Sequence, residues 1–190
     1  MTDNIIITIG RQFGSGGHEI GNRLAERLGI PLYDYNLIRM AAEELKITPQ
    51  EAARADESVL DRYRSNAVLG YGNYNLFMKE LDLDQPLSDK VFKQQCEIIK
   101  RLAERSSCIF IGRCADYVLG DYSNCINAFV YAYKPDRIRR IMKLYDLSEK
   151  QARDKMKDVD RNRKEYYEEY TDREWGSIEA HQMLFNASLM

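Results

Sequence analysis

A stretch near the start of the chain, residues 10–19, combines four glycines with side chains that bind anions; it reads Gly-Arg-Gln-Phe-Gly-Ser-Gly-Gly-His-Glu. The glycines let the backbone turn tightly, so that several N–H groups can converge on one anion. A helical pattern follows directly, and a helix N-terminus adds unpaired N–H groups and a partial charge of about +0.5. We name residues 10–19 the glycine-rich loop and predict that it binds phosphate. An ordinary turn between a strand and a helix is the alternative.

The loop departs from the standard phosphate-binding pattern Gly-x-x-x-x-Gly-Lys-Ser/Thr. With Gly16 as the second glycine, Gly17 stands at the lysine position and His18 at the Ser/Thr position. Gly10 lies one residue too far upstream, so the loop either carries an extra residue or uses Arg11 at its first position. The missing lysine removes a charge from the β- and γ-phosphates, and the missing hydroxyl removes a usual Mg²⁺ ligand, so the loop alone does not guarantee turnover. The predicted phosphate-binding residues are Arg11, Gly14, Ser15, Gly16, Gly17 and His18.

Apolar patterns around the loop predict an α/β fold. The run from Ile5 to Ile9 is β-branched and stops at Gly10, which is typical of a central strand buried on both faces of a parallel sheet. Strand and helix patterns then alternate along the chain. Ser148 opens a charged helix with the capping-box sequence Ser-x-x-Gln. Further strands are predicted at 31–35, 108–112, 126–133 and 183–186, and helices at 20–28, 37–45, 91–104, 135–145 and after 148.

The sequence offers one candidate cation ligand but no resident metal site. Asp34 ends the second predicted strand, and ligands of open α/β sheets bind at the carboxyl ends of strands. Its carboxylate could orient an acceptor or hold Mg²⁺ through water. His18 and His181 have no His-x-x-x-His or paired-cysteine pattern around them, so no metal held by protein side chains alone is predicted.

The composition excludes several functional classes. Lys and Arg total 28 against 30 Asp and Glu, a formal net charge of -2, so no general attraction to nucleic acid is expected. The longest apolar runs fall far short of the roughly 18 residues that span a bilayer, and no leader pattern is evident, so we expect a cytoplasmic protein without a membrane partner. The four cysteines form no Cys-x-x-Cys pair and are predicted to be reduced, structural thiols. The length fits one domain, residues 1–190.

Three motifs together resemble the cytidylate kinase-like proteins: GRQFGSGGHEIG in the loop, IGRCADYVL at 111–119 and DVDRNRKEYY at 158–167. The resemblance spans nearly the whole chain and implies a nucleoside monophosphate kinase, with the three-layer P-loop NTPase fold and a five-stranded parallel sheet. It also implies a helical acceptor-binding insertion, which we assign to the polar, tyrosine-rich residues 48–87, and a lid over about residues 154–175. Such folds normally close with one more helix, so the chain ending at Met190 either lacks that helix or is incomplete.

The resemblance implies an acceptor site at the second motif. True cytidylate kinases carry Gly-Arg-Asp after this strand and contact the acceptor nucleotide with it, so Arg113 is implied to bind the acceptor phosphate and to act in catalysis. Cys114 replaces the aspartate of that triplet. Either Asp116 supplies the missing carboxylate or the site lacks one. A structural ion pair is the alternative for Arg113.

The third motif resembles the lid of cytidylate kinases. Arg161 and Arg163 are implied to close over the phosphates and stabilise the transferring group, with Asp160 on the substrate. Planar guanidinium groups suit bidentate contacts to phosphate. The alternative is a solvated, charged helix face, because Lys, Asp, Arg and Glu alternate here over many residues. The aromatic residues that follow could stack on a base or, as their spacing favours, pack against the core: Tyr166, Tyr167, Tyr170 and Trp175.

These observations predict an ATP- and Mg²⁺-dependent kinase that transfers a phosphoryl group to a small acceptor, most simply a nucleoside monophosphate such as CMP. A regulatory protein that binds nucleotide without turnover is one alternative, because the loop lacks its lysine. A kinase for another small metabolite is the other, because the insertion contains no motif that names an acceptor. The sequence does not determine the oligomeric state.

Overall fold

The computed structural model describes residues 4–56 and 86–189, which contain one five-stranded sheet. Its strands are β1 (Ile6–Arg11), β2 (Leu32–Tyr33), β3 (Cys108–Ile111), β4 (Cys125–Tyr131) and β5 (Met183–Asn186). They follow the order β2-β3-β1-β4-β5, and each neighbouring pair is parallel. Helices lie on both faces, which confirms the predicted α/β fold with β1 at the centre of a five-stranded parallel sheet.

The helices predicted at 20–28, 37–45, 91–104, 135–145 and after 148 are confirmed to within four positions, whereas the short helix Ala115–Val118 was not predicted. The helices of the described residues are α1 (Gly17–Leu28), α2 (Asn36–Leu45), α3 (Leu87–Arg105), α4 (Ala115–Val118), α5 (Lys134–Tyr145) and α6 (Glu149–Thr171), with a 3₁₀ turn at Ala187–Leu189. The predicted capping box of α6 is confirmed: Ser148 accepts from the Gln151 N–H, and the Gln151 side chain accepts from the Ser148 N–H. This reciprocal pair satisfies two of the backbone donors that a helix start leaves unpaired.

The central strands carry the core that fixes the loop in place. All four residues of β3 are buried, and Ile9 of β1 packs with Ile111 and Val130. Ile20 and Leu24 of α1 pack against this cluster from the same side. Each fully buried aliphatic side chain of this kind contributes about 1.5–3 kcal/mol, so the loop between β1 and α1 is held at both ends by packed elements.

A second cluster joins the two long C-terminal helices. Ile138 and Ile141 of α5 pack against Ala152 and Met156 of α6, and Phe13 of the glycine-rich loop lies against the same group. The loop is therefore anchored to α5 and α6 as well as to the sheet.

The chain divides into two compact units, Met1–Asp34 with Ile99–Met190, and Tyr35–Ile98. In the second unit, Ile38 and Ala42 of α2 pack with Ala52, which lies in helical residues 49–56, and with Val91 of α3. Most of the insertion predicted over 48–87 lies outside the described residues, so its acceptor-binding role stays a prediction.

Two further observations concern membrane-spanning helices and the cysteines. None of the helices in residues 4–56 and 86–189 is both long and apolar enough to cross a lipid bilayer. All four cysteines are free thiols, and Cys108, Cys114 and Cys125 are buried, as predicted. Burial raises the pKa of Cys108 to about 11, so this thiol stays protonated near neutral pH.

Candidate functional site

The backbone of the glycine-rich loop forms a cradle of N–H groups at the start of α1. Gly14 and Gly16 have φ angles of 78° and 87°, which only glycine adopts readily. Ser15 is buried, and its hydroxyl donates to the Gln12 carbonyl over 2.9 Å. Within the described part of the chain, no acceptor pairs with the backbone N–H groups of Gly14, Gly16, His18 and Glu19. These donors at a helix N-terminus fit an anion such as a nucleotide phosphate.

A buried ion pair braces the tip of this loop. The Phe13 N–H donates to Asp160 Oδ1 over 2.7 Å, and Arg137 Nε donates to the Phe13 carbonyl over 2.7 Å. Arg137 Nη2 also pairs with Asp160 Oδ2. The bonds tie the loop to α5 and α6, so both oxygens of Asp160, the predicted substrate ligand, already accept hydrogen bonds within the protein.

Three arginines from separate elements converge beside the loop; we name Arg11, Arg113 and Arg163 the arginine cluster. Arg163 Nη1 donates to the Arg11 carbonyl over 3.1 Å, and its Cζ lies 5.7 Å from the centroid of the Phe13 ring. Burial and the neighbouring Arg163 and Arg113 guanidiniums lower the pKa of Arg11 to about 9, with Asp34 acting in the opposite direction. Burial also lowers the pKa of Arg163. The cluster thus concentrates positive charge that a bound anion would balance.

Arg113 reaches this cluster from a strained turn at the end of β3. Gly112, Arg113 and Cys114 have φ angles of 68°, 60° and 54° in succession, all in the left-handed region. The Arg113 guanidinium lies 6.0 Å from the centroid of the Tyr166 ring. Because two of the three residues are not glycine, the turn is held by its surroundings rather than by backbone preference.

His18 of the glycine-rich loop pairs with Asp34, which directly follows β2. His18 Nε2 lies 2.7 Å from Asp34 Oδ2, and the Asn22 amide nitrogen lies 3.2 Å from His18 Nδ1. An Nε2–H tautomer satisfies both bonds, since Nε2 then donates and Nδ1 accepts. Among the described residues, no three His, Cys, Asp or Glu side chains cluster as a metal site. A magnesium ion here would depend on nucleotide phosphates and water for most of its ligands.

Asp116 is buried in the protein interior rather than exposed at the surface of the site. It is 6% exposed, and the Tyr167 hydroxyl donates to Asp116 Oδ2 over 2.6 Å. Burial and the adjacent carboxylate raise the pKa of Tyr167, so the phenol remains a donor. Asp116 therefore joins α4 to α6 in the interior, and this position favours support of the Arg113 turn over direct contact with an acceptor.

Replacing Tyr167 with phenylalanine is expected to lower the free energy of unfolding by about 1–3 kcal/mol, because the buried Asp116 carboxylate loses its donor. Urea denaturation of the purified variant measures the change. Tyr117→Phe, which removes a hydroxyl from an exposed tyrosine of α4, is the matched control. Equal stabilities of the two variants would show that the Asp116 bond does not support the fold.

The structure separates the predicted lid residues by their position around α6. Asp160 and Arg163 face the loop, whereas Arg161 is about half exposed and donates to Asp158 over 2.7 Å. The following aromatic residues pack against protein: the Tyr166 and Tyr170 ring centroids lie 5.0 Å apart, and Trp175 contacts Phe129 edge to face.

Two residues of the site carried little signal in the sequence. Arg137 braces the loop from α5 although 124 positions separate it from Phe13. Arg140 pairs with Glu19, and a Cβ added at Gly16 would lie 3.1 Å from its Cζ. Both stand in a basic run of a surface helix, which gives no indication of which arginine turns inward.

Comparisons with known proteins identify the family of the chain and agree with its fold. A crystal structure of an uncharacterized protein from Eubacterium ventriosum ATCC 27560 matches with 28% identity and a TM-score of 0.70, over 98% of this chain and 90% of that one. Shikimate kinase from Bacteroides thetaiotaomicron shares the fold, with 15% identity and a TM-score of 0.50, over 96% of this chain and 86% of that one. No curated protein matches the sequence. The model of the cytidylate kinase-like family matches residues 6–189, and the chain belongs to that family.

Proposed function

We propose that this protein transfers the terminal phosphoryl group of ATP to a small acceptor, a nucleoside monophosphate such as CMP. The observation that carries the proposal is the arginine cluster, in which Arg11, Arg113 and Arg163 concentrate positive charge beside a loop of available N–H groups. Phosphoryl transfer needs positioned reactants and charge stabilisation more than it needs a covalent intermediate. Family membership supports the same class of activity.

The donor half of the proposed site is the glycine-rich loop. Its backbone donors and the N-terminus of α1 suit the β- and γ-phosphates. The brace of Phe13 by Asp160 and Arg137 keeps these donors in place before nucleotide arrives, which limits the ordering cost of binding. Mg²⁺ would neutralise charge on the phosphates, and Asp34 is the carboxylate that fits it, through a water molecule.

The acceptor half lies toward the Gly112–Cys114 turn. We assign Arg113 to the phosphate of the acceptor and Arg163 to the transferring group. An oxygen of the acceptor phosphate attacks the γ-phosphorus, the bond from that phosphorus to the β–γ bridging oxygen breaks, and ADP leaves. A phosphate oxygen is already deprotonated at neutral pH, so the step requires no general base from the protein.

Nucleotide binding without turnover is the second candidate. Gly17 stands at the lysine position of the loop, and His18, at the hydroxyl position, is paired with Asp34 at 2.7 Å. A protein with these features could hold ATP as a sensor and respond by a change in stability or association. Tight ATP binding with no ADP release would favour this candidate.

A coupled assay of ADP release separates the two candidates. The purified protein is supplied with ATP and Mg²⁺ together with CMP, dCMP, UMP, AMP, GMP or no acceptor. We expect a pyrimidine monophosphate to stimulate ADP release above the rate without acceptor. Release that no nucleotide stimulates, in a protein that binds ATP, would overturn the kinase proposal in favour of the sensor or of another acceptor.

A further inference from the structure

Gly17 is a glycine for reasons of space rather than backbone conformation. It is the first residue of α1 and does not have a positive φ angle, so its backbone would accept a side chain. However, a Cβ at this position would lie 2.7 Å from Arg11 Cβ and 3.2 Å from Arg11 Cγ. The stem of Arg11 therefore occupies the space in which the side chain of the standard loop lysine would begin.

A second glycine makes room for the other end of the same side chain. A Cβ added at Gly112 would lie 2.0 Å from Arg11 Nη1. Arg11 thus runs from the start of α1 to the turn that carries Arg113, between glycines of two different elements. Its guanidinium therefore lies where the glycine-rich loop and the Gly112–Cys114 turn meet.

The guanidinium of Arg11 has no partner within residues 4–56 and 86–189: neither a hydrogen bond nor an ion pair involves it. A partly buried cation without a bonded counterion is disfavoured in the folded protein, and the pKa of Arg11 falls to about 9, mainly because of burial. Since folding lowers this pKa, the charged side chain weakens the ligand-free protein at every pH below about 9.

We propose that Arg11 replaces the phosphate-loop lysine, so that its guanidinium binds the phosphate chain of the nucleotide at the point where donor and acceptor meet. This inference rests on the proposed function and specifies how the loop works without its lysine. A guanidinium is planar and offers five N–H donors, so it can contact two phosphate oxygens at once, whereas a lysine acts as a point charge. From its position beside Gly112, Arg11 can also contact a phosphate bound by Arg113.

Three variants test this replacement. Calorimetric titration measures the binding of ATP and of inorganic tripolyphosphate, and thermal unfolding measures stability. Arg11→Met is expected to weaken ATP binding roughly tenfold or more while raising the melting temperature of the ligand-free protein. Gly17→Lys alone is expected to lose binding, because the lysine collides with the stem of Arg11. The exchange variant Arg11→Gly/Gly17→Lys is expected to regain part of the affinity, because it removes the closest contact, with Arg11, while Val130 Cβ stays 3.2 Å from the new Cβ.

The outcomes distinguish this inference from the proposed function. Wild-type protein that binds neither probe would overturn both. Wild-type protein that binds ATP, with an Arg11→Met variant of equal affinity, would overturn the role of Arg11 alone. An exchange variant that folds but binds no better than Gly17→Lys would show that the two side chains are not equivalent. Arg153→Ala, on the exposed face of α6, is the control for nonspecific loss of charge.

Discussion

Replacing Arg163 with alanine is expected to lower the turnover number at least tenfold, which corresponds to about 1.4 kcal/mol of activation free energy. The guanidinium lies beside Arg11 and near Arg113, and under the proposed function the charge of the transferring phosphoryl group develops there. A contact made mainly in the transition state lowers kcat and kcat/KM together, so both constants should fall while KM changes little. Steady-state kinetics with the acceptor identified by the ADP-release assay measures this split.

The structure provides a matched control for Arg163 on the same helix. Arg153 is exposed and pairs with Glu149 one turn away, so Arg153→Ala removes an equal charge without touching the site. Its kinetic constants should equal those of the wild type. Unchanged turnover in Arg163→Ala would remove Arg163 from the mechanism, whereas a rise in KM alone would assign it to substrate binding.

Replacing Arg137 with alanine is expected to lower the free energy of unfolding by about 3 kcal/mol, because removing one partner strands the other charge of a largely buried pair. Asp160 would keep its bond to the Phe13 N–H but lose its counterion, and the Phe13 carbonyl would lose its donor. We also expect weaker ATP binding, since the loop tip loses one of its two anchors. Chemical denaturation and calorimetric titration measure the two effects.

Arg139, two positions along α5, is the control for this variant. Its side chain is exposed and pairs with Asp136 on the same helix, so Arg139→Ala should leave stability and ATP binding unchanged. If Arg137→Ala unfolds at the same denaturant concentration as Arg139→Ala, the pair with Asp160 does not brace the loop. Normal stability with weakened ATP binding would instead make Arg137 a ligand of the nucleotide.

The local sequence pattern was sufficient to predict the strands of the central sheet. Where a predicted strand boundary was wrong, pairing with a neighbouring strand explains the difference. The β-branched run Ile5–Ile9 identified β1, and the predicted fifth strand over 183–186 is confirmed. The predicted stop at Gly10 was wrong by two residues, because Gly10 and Arg11 continue the ladder opposite Phe129 and Val130. A glycine considered without its tertiary neighbours favours the end of a strand, but hydrogen bonds to a neighbouring strand can override that preference.

The site was predictable only in part, because its geometry depends on which helix face turns inward. Arg113 and Arg163, assigned through the family resemblance, do converge, and Arg11 joins them. Arg161 lies on another face of α6, and Asp116 is buried against Tyr167; their assigned roles stay predictions that this geometry does not favour. Contacts between residues more than a hundred positions apart, such as Phe13 with Arg137, leave no local trace in a sequence.

Under the proposed function, the turn at Gly112–Cys114 sets the stability of this protein against its activity. Its two non-glycine residues hold left-handed backbone angles of 60° and 54°, a conformation that costs about 1–3 kcal/mol at each such position. Glycine at position 113 would relieve that strain and at the same time delete the guanidinium that reaches the cluster. Under that function, selection for thermal stability alone would favour variants that lose the site, and selection for activity would oppose this loss.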